Sequence, residues 1–347
     1  MKHLVTGGAG FIGRWVVKTV LARKGDEVVV LDNFSNSHRR NVAEFSGEKR
    51  LTIIEGSITD GRLLDSVWAE KGPFDTVYHL AASIRVQDSI DDPRTTFNAD
   101  IVGTFEVLER CRRQYLEANG MRMNEPFHLL DAAPRLKAKL PRMVFMSTCM
   151  VYSPASGDEG IDENHPTRPT SPYAASKLAG ENMALSYFLA YQMPIKVIRP
   201  FNTYGPFQKR NLEGGVVPIF IARDLNGQPL LIKGDGAQTR DLLFVEDCAR
   251  FVVEAGLTDK ADGEICNAGL GEDISVKDLA KLVSDRAHGG HGVAVEHIKH
   301  DHPQAEIARL LANNRKAGSM LNWRPQVSLS QGLQRTREWI RENPDAL

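Results

Sequence analysis

The sequence predicts an α/β fold with a doubly wound parallel sheet and a smaller C-terminal lobe. Short runs rich in β-branched residues alternate with longer amphipathic stretches up to about residue 200. Parallel strands need long crossover connections, which helices usually supply, so this alternation indicates a parallel sheet with helices on both faces. Beyond that point the pattern loosens into stretches punctuated by glycine and proline, such as NGQPLLIKGDGAQ. We therefore expect one domain over residues 1–200 and a smaller lobe over residues 201–347.

The predicted elements follow this alternation along the chain. Short runs with β-branched residues predict six strands, over His3–Thr6, Glu27–Leu31, Leu51–Ile54, Thr76–Leu80, Arg142–Met146 and Ile195–Ile198. Longer amphipathic runs predict five helices, over Ile12–Lys24, Leu63–Glu70, Thr95–Gln114, Tyr173–Tyr191 and Val276–Ala287. Residues 117–141 lie between a helix and a buried strand. We expect a surface insertion there, because added loop length costs little conformational free energy.

Charge and cysteine usage exclude several classes of protein. The formal net charge is −1 with both signs interspersed, which leaves no basic face for nucleic acid. The four cysteines are far apart in sequence and fit neither a disulfide framework nor a zinc spacing. Neither a signal peptide nor an apolar run of membrane-spanning length is visible. We expect a cytoplasmic protein with no metal site, no membrane span and no nucleic-acid partner.

The stretch TGGAGFIG follows the first predicted strand and opens the first predicted helix. Gly7 permits a tight turn, Gly10 lets the backbone approach a pyrophosphate, and Gly13 lets the helix pack on the strand. The helix N-terminus then offers backbone N–H groups to the phosphates. This pattern predicts a Rossmann-type dinucleotide site.

The residue that ends the second predicted strand refines this prediction. Asp32 lies about twenty residues further on, where a carboxylate can accept hydrogen bonds from the adenosine ribose. The same carboxylate would repel a 2′-phosphate, so NAD is favoured over NADP. Arg39 and Arg40 could reach such a phosphate, although a solvated pair of surface charges is the simpler interpretation of these two residues.

A tyrosine and a lysine in the stretch SPYAASK predict the chemistry. Tyr173 and Lys177 are four residues apart and share one face of a helix. The ammonium can lower the pKa of the phenol and hold the nicotinamide ribose, while the phenolate serves as general base. Thr148, in STCMVY at the end of a predicted strand, supplies a hydroxyl that could bridge the substrate oxygen and Tyr173. The set suits oxidation of a secondary alcohol by hydride transfer.

Taken with further motifs, this chain resembles the extended short-chain dehydrogenases/reductases that act as nucleotide-sugar epimerases and dehydratases. The resemblance covers nearly the whole chain and is carried by GGAGFIG, VVVLDNFS, HLAAS, FNADIVGT, SPYAASK, RPFNTYGP, QTRDLLFVED and LNWRP. It implies NAD bound by the N-terminal domain and a nucleotide-diphosphate sugar bound mainly by the C-terminal lobe. It also implies a homodimer, because the helices equivalent to Thr95–Gln114 and Tyr173–Tyr191 form a four-helix interface in the family.

The resemblance also assigns site residues. Besides Tyr173 and Lys177, the implied cofactor contacts are Gly7, Gly10, Phe11, Ile12, Gly13, Asp32, Asn33, Ser35, Leu80, Ala81, Ala82 and Asn98. Asn98 is expected to support the active-site water or backbone network. The implied substrate contacts are Arg85, Thr148, Met150, Asn202, Val217, Arg240 and Arg309. Within this set, Asn202 and Arg240 are expected to hold the substrate diphosphate, which suits the bidentate geometry of arginine.

Two positions depart from the family pattern. Where many epimerases carry an arginine, this chain has His302, so one diphosphate contact is lost or passes to Arg309. After the third predicted strand, Ser57 replaces the usual acidic residue, which puts an adenine contact in doubt. Neither change removes the predicted fold or chemistry.

Cys149 and Met150 bear most on the choice of reaction. In similar sugar 4,6-dehydratases the two residues after the catalytic threonine are Asp and Glu, which protonate the leaving hydroxyl and remove the C5 proton. A thioether cannot exchange a proton, and a thiol does so near neutral pH only if its surroundings tune it. Removal and return of hydride at C4 need only Thr148, Tyr173 and Lys177. A 4-epimerase is therefore the leading hypothesis.

Two alternatives stay open. Cys149 could be an acid/base in a dehydratase or in a C5 or C3,5 epimerase, instead of filling space in the pocket. The protein could also be a regulator that senses NAD(P) without catalysis, although a sensor has no need of all three catalytic groups.

Overall fold

The computed structural model of the protein describes residues 1–123, 125–155, 159–209, 215–287, 292–299 and 307–344. Contacts within the chain divide it into two compact units. Unit 1 comprises residues 1–151, 171–199 and 249–266, and unit 2 comprises residues 152–170, 200–248 and 267–347. The single boundary expected near residue 200 is therefore too simple. Residues 152–170 belong to unit 2, and residues 249–266 return to unit 1.

The strands and helices alternate along the N-terminal part of the chain. The strands are β1 (Lys2–Thr6), β2 (Glu27–Asp32), β3 (Leu51–Glu55), β4 (Thr76–His79), β5 (Arg142–Met146), β6 (Ile195–Pro200), β7 (Asn202–Tyr204), β8 (Leu230–Lys233), β9 (Thr239–Phe244), β10 (Ile265–Ala268), β11 (Asp273–Ser275), β12 (Val295–Ile298) and β13 (Arg309–Leu310). The α-helices are α1 (Phe11–Leu21), α2 (Gly61–Lys71), α3 (Val86–Asp91), α4 (Pro93–Phe97), α5 (Gly103–Ala118), α6 (Leu129–Ala132), α7 (Pro172–Tyr191), α8 (Val216–Leu225), α9 (Val245–Gly256), α10 (Val276–Ala287), α11 (Arg315–Leu321) and α12 (Leu329–Glu342). All six predicted strands are present.

The main sheet has seven strands in the order β10-β6-β5-β4-β1-β2-β3. The pairs from β6 through β3 are parallel, with Leu4 of β1 in register with Val29 of β2 and Val77 of β4. This order is that of a doubly wound Rossmann sheet, so the predicted fold class is confirmed. Parallel strands end at a common edge, which brings the turns after β1, β2, β4 and β5 to one side of the sheet.

The sheet is a suitable platform because its centre is apolar on both faces. Every residue of β4 is buried, and β6 is buried along its whole length. A cluster of buried side chains from β1, β4, β5 and β6 packs against α2, α5 and α7, with Val107, Leu108 and Cys111 contributed by α5. Burial on both faces is the expected pattern for a parallel sheet.

The prediction of one continuous helix over Thr95–Gln114 is wrong in one respect. The structure divides it into α4, a π-helical turn over Asn98–Val102, and α5, which continues to Ala118. A π-turn inserts one residue into the helical repeat and turns side chains to a different face. Asn98 is exposed as a result, whereas Asp100 is only 2% exposed.

The predicted insertion over residues 117–141 is partly anchored to the core of unit 1. Met121 and Ala132 are buried, and Phe127 stacks edge-on against Tyr191 of α7 with 5.0 Å between ring centres. Asn119 closes the segment, because its side chain bonds both the carbonyl oxygen and the N–H of Ala138. The described part of the segment thus combines a surface position with fixed ends.

Unit 2 has its own sheets and core. Strand β9 pairs with β7, β11 and β13, while β8 pairs with β12. A second apolar cluster lies among β8, β9, α8, α10 and α12. Within the described residues, none of the helices combines the length and apolarity that crossing a bilayer requires.

Candidate active site

The glycine-rich turn after β1 lies against the turn after β4. Gly7 has φ +71°, and a Cβ at this position would lie 2.7 Å from the backbone nitrogen of Ala81. A Cβ on Gly13 would overlap the carbonyl oxygen of Gly7, so α1 packs closely on the turn. Helix α1 begins after Gly10, and no side chain among the described residues caps its N-terminus. The turn thus provides a narrow backbone cradle and N–H groups suited to a pyrophosphate.

Asp32 ends β2 beside this turn with its carboxylate held in place. Its Oδ2 accepts the N–H of Ala9 at 2.9 Å, and its Oδ1 accepts the N–H of Phe34 and the hydroxyl of Ser37, each at 2.9 Å. Each carboxylate oxygen has two acceptor sites, so Oδ2 can accept one more donor, such as a ribose hydroxyl. Arg39 is ion-paired with Glu55. That pairing competes with any role of Arg39 in holding a 2′-phosphate.

Four other predicted cofactor contacts surround these two turns. Phe11 and Ile12 open α1 and are half-buried, and Asn33 and Ser35 are exposed beyond β2, where Ser35 donates two hydrogen bonds to Asn33 Oδ1. A further element of the site is Ser147, whose hydroxyl is buried and without a hydrogen-bond partner among the described residues. Such a buried orphan hydroxyl is costly unless a ligand satisfies it. These residues fit a dinucleotide.

Thr148 and Tyr173 are brought together as the sequence predicts. Ser171 caps α7 by accepting the N–H of Ala174 at 3.2 Å, which places Tyr173 and Lys177 in its first two turns. The phenol of Tyr173 hydrogen-bonds with the side chain of Thr148. Lys177 is 4% exposed, and its Nζ lies 4.6 Å from the centre of the Phe145 ring.

Burial dominates the electrostatics of this group. It raises the pKa of Tyr173, with a further rise from Asp100, while the hydrogen bond with Thr148 opposes both. Burial also lowers the pKa of Lys177, and the carboxylates of Asp100 and Glu181 oppose that fall. The expected lowering of the phenol pKa by Lys177 is therefore outweighed in the protein alone, because burial disfavours the charged form of each group.

The network behind Lys177 contains Asp100, which was missed in the sequence. Its Oδ1 accepts the N–H of Ser83 and its Oδ2 accepts the hydroxyl of Ser176, each at 2.7 Å. The role expected of Asn98, support of the active-site network, suits Asp100 instead. The π-turn exposes Asn98 and buries Asp100. A carboxylate within the otherwise apolar run ADIV was the available signal.

A directed chain of hydrogen bonds connects the turn after β4 to this network. The Thr104 hydroxyl donates to the Asp100 carbonyl at 2.6 Å, so it accepts the Nε2–H of His79 at 3.0 Å. The Nδ1 of His79 then accepts the Thr6 hydroxyl at 2.8 Å, and Thr6 accepts the N–H of Ala81 at 3.3 Å. Burial lowers the pKa of His79 to about 3, so the ring is neutral. The predicted contacts Leu80, Ala81 and Ala82 are half-buried at the end of this chain.

Cys149 and Met150 follow Thr148 in a short 3₁₀ turn. Cys149 is 3% exposed, and its thiol is close enough to Tyr173 to influence the pKa of the phenol. Met150 is half-buried, and its N–H donates to Thr148 Oγ1 at 3.2 Å. All four cysteines lie within the described residues and are buried outside any disulfide. No group of three potential metal ligands is found among the described residues.

Three predicted substrate contacts lie on adjacent strands of unit 2. Asn202 is exposed at the start of β7, Arg240 lies on β9, and Arg309 lies on β13. Arg240 donates to the carbonyl oxygens of Thr239 and Ile307, and Arg309 pairs with Asp273 at 2.9 Å. By strand register, Asn202 and Arg240 lie on one face of this sheet, whereas Arg309, which is opposite Thr239, lies on the other face. Asn202 and Arg240 therefore share the face that suits a diphosphate.

The remaining predicted substrate contacts, and the two positions that depart from the family pattern, lie elsewhere in the chain. Arg85 occupies the N-cap position of α3 without a side-chain capping bond and pairs with Asp88 at 2.7 Å. Val217 is 1% exposed within the core of unit 2, so its side chain is not available to a ligand. Ser57, the departure after β3, hydrogen-bonds with Thr59 at 2.8 Å. His302, the other departure, lies outside the described residues.

Comparison with known proteins places these features in context. The profile of a family described as GDP-mannose 4,6 dehydratase matches residues 4–336. The chain is 32% identical to UDP-glucose 4-epimerase of Mycolicibacterium smegmatis over 341 residues, covering 98% of this chain and 99% of the relative.

Two solved structures are similar over almost their full length. Pal from Bacillus thuringiensis is 52% identical with a TM-score of 0.87, and the match covers 99% of each chain. UDP-glucuronic acid 4-epimerase from Bacillus cereus, in complex with UDP-glucuronic acid and NAD, is 30% identical with a TM-score of 0.82, again covering 99% of each chain.

Proposed function

This chain belongs to the extended short-chain dehydrogenase/reductase family of nucleotide-sugar epimerases and dehydratases, and we propose that it is an NAD-dependent 4-epimerase of a nucleotide-diphosphate sugar. One observation carries the choice of reaction. Thr148 hydrogen-bonds with Tyr173, which shares α7 with Lys177, and the two residues after Thr148 carry a thiol and a thioether. The site thus has the groups for moving the C4 hydroxyl proton and lacks the carboxylate pair that eliminates water.

The cofactor proposal rests on the cradle after β1. NAD, when bound, supplies the acceptance and return of hydride at the sugar. Gly7, Gly10 and the first turn of α1 would hold its pyrophosphate, and Asp32 would accept its ribose hydroxyls. The buried orphan hydroxyl of Ser147, which follows β5, would be a further donor to the cofactor. Asp32 favours NAD because a 2′-phosphate would meet a buried carboxylate that is already fixed by three donors.

The protein side chains then have distinct roles. As the phenolate, Tyr173 would take the proton of the C4 hydroxyl while hydride leaves C4, and it would give that proton back when the other face of the 4-keto sugar is reduced. Thr148 holds the C4 oxygen beside the phenol. Lys177 holds the nicotinamide ribose and supplies the positive charge that stabilises the phenolate. Asn202 and Arg240, which share one face of their sheet, are proposed to hold the diphosphate, and Arg309 is held by Asp273 on the other face.

A second reaction is favoured by the position of Cys149. Its thiol is buried next to the phenol of Tyr173, which is where a second proton-transfer group would be useful after oxidation at C4. In that case Cys149 would remove or deliver the C5 proton, and the enzyme would be a C5 or C3,5 epimerase or a dehydratase. The buried position fits space filling equally well, and epimerisation at C4 requires no further group.

The deciding experiment is NMR of the product formed in D₂O from a panel of UDP-, GDP-, dTDP- and CDP-hexoses. We expect one nucleotide class to give a mixture of C4 epimers without deuterium at C5, because the hydrogen removed from C4 is carried by the cofactor and returned. Stoichiometric deuterium at C5 would reject the 4-epimerase and favour the Cys149 reaction. A protein that leaves the whole panel unchanged would behave as a regulator.

We also propose a homodimer in a reducing cytoplasm. Large apolar side chains are exposed on the helices that the family uses for dimerisation, namely Phe97 at 39%, Val102 and Phe105 at 44%, and Leu189 at 68%. Covering such side chains would remove apolar surface from water. Light scattering at micromolar concentration should give twice the chain mass of 38.5 kDa, and a strictly monomeric mass would contradict the proposal.

A further inference from the structure

Four charged side chains are buried together around α7. Lys177 and Glu181 lie on the helix itself, Arg199 lies on β6, and Asp100 lies on the π-turn before α5. Their exposed fractions are 4%, 1%, 3% and 2% respectively. An isolated buried charge is strongly destabilising, so each cation requires a compensating anion nearby. Two cations and two carboxylates are present, and the question is which compensates which.

Glu181 is engaged by Arg199. The guanidinium donates through Nε to Glu181 Oε1 at 2.8 Å and through Nη2 to Oε2 at 2.5 Å. This two-point geometry is the strongest that an arginine and a carboxylate form. The charge of Glu181 is therefore compensated by Arg199. Lys177 and Asp100 are the remaining cation and anion of the group.

The hydrogen bonds of Asp100 come from neutral groups. Ser83 N–H and the Ser176 hydroxyl each occupy one carboxylate oxygen, and neither neutralises the charge. Ser176 immediately precedes Lys177 on α7, and its hydroxyl also lies 2.7 Å from the carbonyl oxygen of Tyr173, so its single proton is shared between that oxygen and Asp100 Oδ2. The carboxylate is thus tied to the helical turn that carries both catalytic residues. Burial raises the pKa of Asp100, and Lys177 is the largest influence that opposes this rise.

We infer that Asp100 is the counter-ion of Lys177, a positioning residue that keeps the catalytic ammonium charged in its buried site. Within the described residues no hydrogen bond or ion pair joins the two side chains, so Asp100 does not occupy the N–H donors of Lys177. The consequence for catalysis rests on the proposed function, since Lys177 must be an ammonium to hold a ribose and stabilise the Tyr173 phenolate. The charge pairing itself does not depend on which reaction the enzyme performs.

Other titratable groups near Lys177 do not replace Asp100. Tyr173 and Glu181 lie on its own helix, and His79 approaches from β4. Cys149, in the turn after β5, influences Tyr173, and Arg199 is paired with Glu181. His79 is neutral, because burial lowers its pKa to about 3. Asp100 is the largest influence opposing the burial that lowers the pKa of Lys177.

A purely structural role for Asp100 makes a different prediction. Asparagine at this position could still accept the Ser83 N–H through its oxygen, and its amide could donate to the Ser176 hydroxyl. Asp100→Asn therefore preserves the hydrogen bonds and removes only the charge. If Asp100 merely supports the turn, this substitution should leave the titration of Lys177 unchanged.

The test is NMR titration of the full chain labelled with ¹³C at lysine Cε, with Lys177 assigned by the signal that is lost in Lys177→Arg. We expect the Lys177 midpoint in Asp100→Asn to fall by about one pH unit relative to wild type, because removing a negative charge disfavours the ammonium. An unchanged or higher midpoint would overturn the inference.

A second buried pair provides the matched control. Lys196 is 1% exposed and ion-paired with Asp262 in unit 1. Asp262→Asn should move the Lys196 signal and leave that of Lys177 in place, which excludes a general effect of removing an acidic residue. Movement of Lys177 by the same amount in Asp262→Asn would also overturn the inference.

A measurement on the wild type covers the case in which Asp100→Asn does not fold. The ¹³Cγ signal of Asp100 should show an inflection at the pH where Lys177 loses its proton, because coupled groups report each other's titration. Absence of that inflection would contradict the pairing. None of these measurements involves a nucleotide sugar or turnover, so their outcome is independent of whether the proposed function is right.

Discussion

Two lysines are buried among the described residues of unit 1, and their charges are compensated in different ways. Lys196 on β6 is 1% exposed and forms a direct ion pair with Asp262. Lys177 on α7 is 4% exposed, lies against the Phe145 ring, and makes no direct ion pair among the described residues. Burial lowers the pKa of both ammonium groups, and in both cases a carboxylate opposes the fall. The difference lies in how close that carboxylate comes.

Direct contact and separation have different uses. A contact ion pair uses the donors of the ammonium and locks the side chain, which serves the fold. A nearby counter-ion that makes no contact stabilises the charge while leaving the donors of Lys177 to a ligand. The comparison teaches that a buried charge without a contact partner indicates a ligand-binding role, whereas a buried contact pair indicates a structural one.

The largest expected effect is a loss of turnover when the catalytic tyrosine beside Lys177 is changed. Tyr173→Phe removes the phenol that exchanges the C4 proton, so turnover should fall by about 10²–10⁴, the usual range for a proton-transfer group. Steady-state assay of the nucleotide sugar identified by the panel measures this loss. Tyr187→Phe is the matched control on the same helix, because its hydroxyl bonds only Glu109 in the described structure. Equal activity of Tyr173→Phe and wild type would contradict the catalytic role assigned to the site that contains Lys177.

The next largest expected effect is a loss of folding stability when the ion pair of Lys196 is broken. Asp262→Ala leaves an uncompensated charge in a buried site, and loss of one partner of such a pair costs about 3–5 kcal/mol. Urea unfolding should show this as a lower midpoint, while turnover per folded molecule stays close to wild type. A large loss of turnover without loss of stability would show that Lys196 is not merely structural.

A smaller effect concerns the neutral neighbour of Lys177. The pKa of His79 is lowered by burial to about 3, with Lys177 lowering it further. The unfolded chain takes up a proton as pH falls through about 6.5, whereas the folded chain does so only near pH 3. Stability should therefore be complete above pH 6.5 and decline toward pH 3, by about 2 kcal/mol at pH 5.

The ring of His79 provides the direct readout of that prediction. ¹⁵N NMR should show a neutral imidazole with the proton on Nε2 from pH 5 to 8. Titration of His79 within this range would contradict the prediction and the direction of the hydrogen-bond chain through Thr6 and Thr104.

The smallest expected effect is that of Cys149→Ala. If the thiol only fills space beside the sugar, turnover should change by less than about threefold, because no proton passes through it. A loss comparable with that of Tyr173→Phe would instead identify Cys149 as an acid/base. The same assay measures both variants, so the two outcomes are compared under identical conditions.

The parts of the site that follow local rules could be predicted from the sequence. Gly7 and Gly13 are required by a turn and a close contact that any residue with a Cβ would disturb. The helical repeat alone brings Tyr173 and Lys177 to one face, and the alternation of elements predicts the order of the sheet. Asn98 and Val217 show the limit of this approach, because one is exposed by a π-turn and the other is buried in the core of unit 2.

The sequence by itself determined the fold class, the dinucleotide turn and the catalytic side chains, because these depend on spacing along the chain and on the chemistry of single residues. Only the tertiary structure decided the direction of the pKa shifts and the pairing of charges. Asp100 and Lys177 are far apart in sequence. Whether a carboxylate contacts a buried lysine, as Asp262 contacts Lys196, or lies near it without contact depends on how helices pack on the sheet. Burial is a property of that packing, and it reversed the expected direction of the pKa of Tyr173.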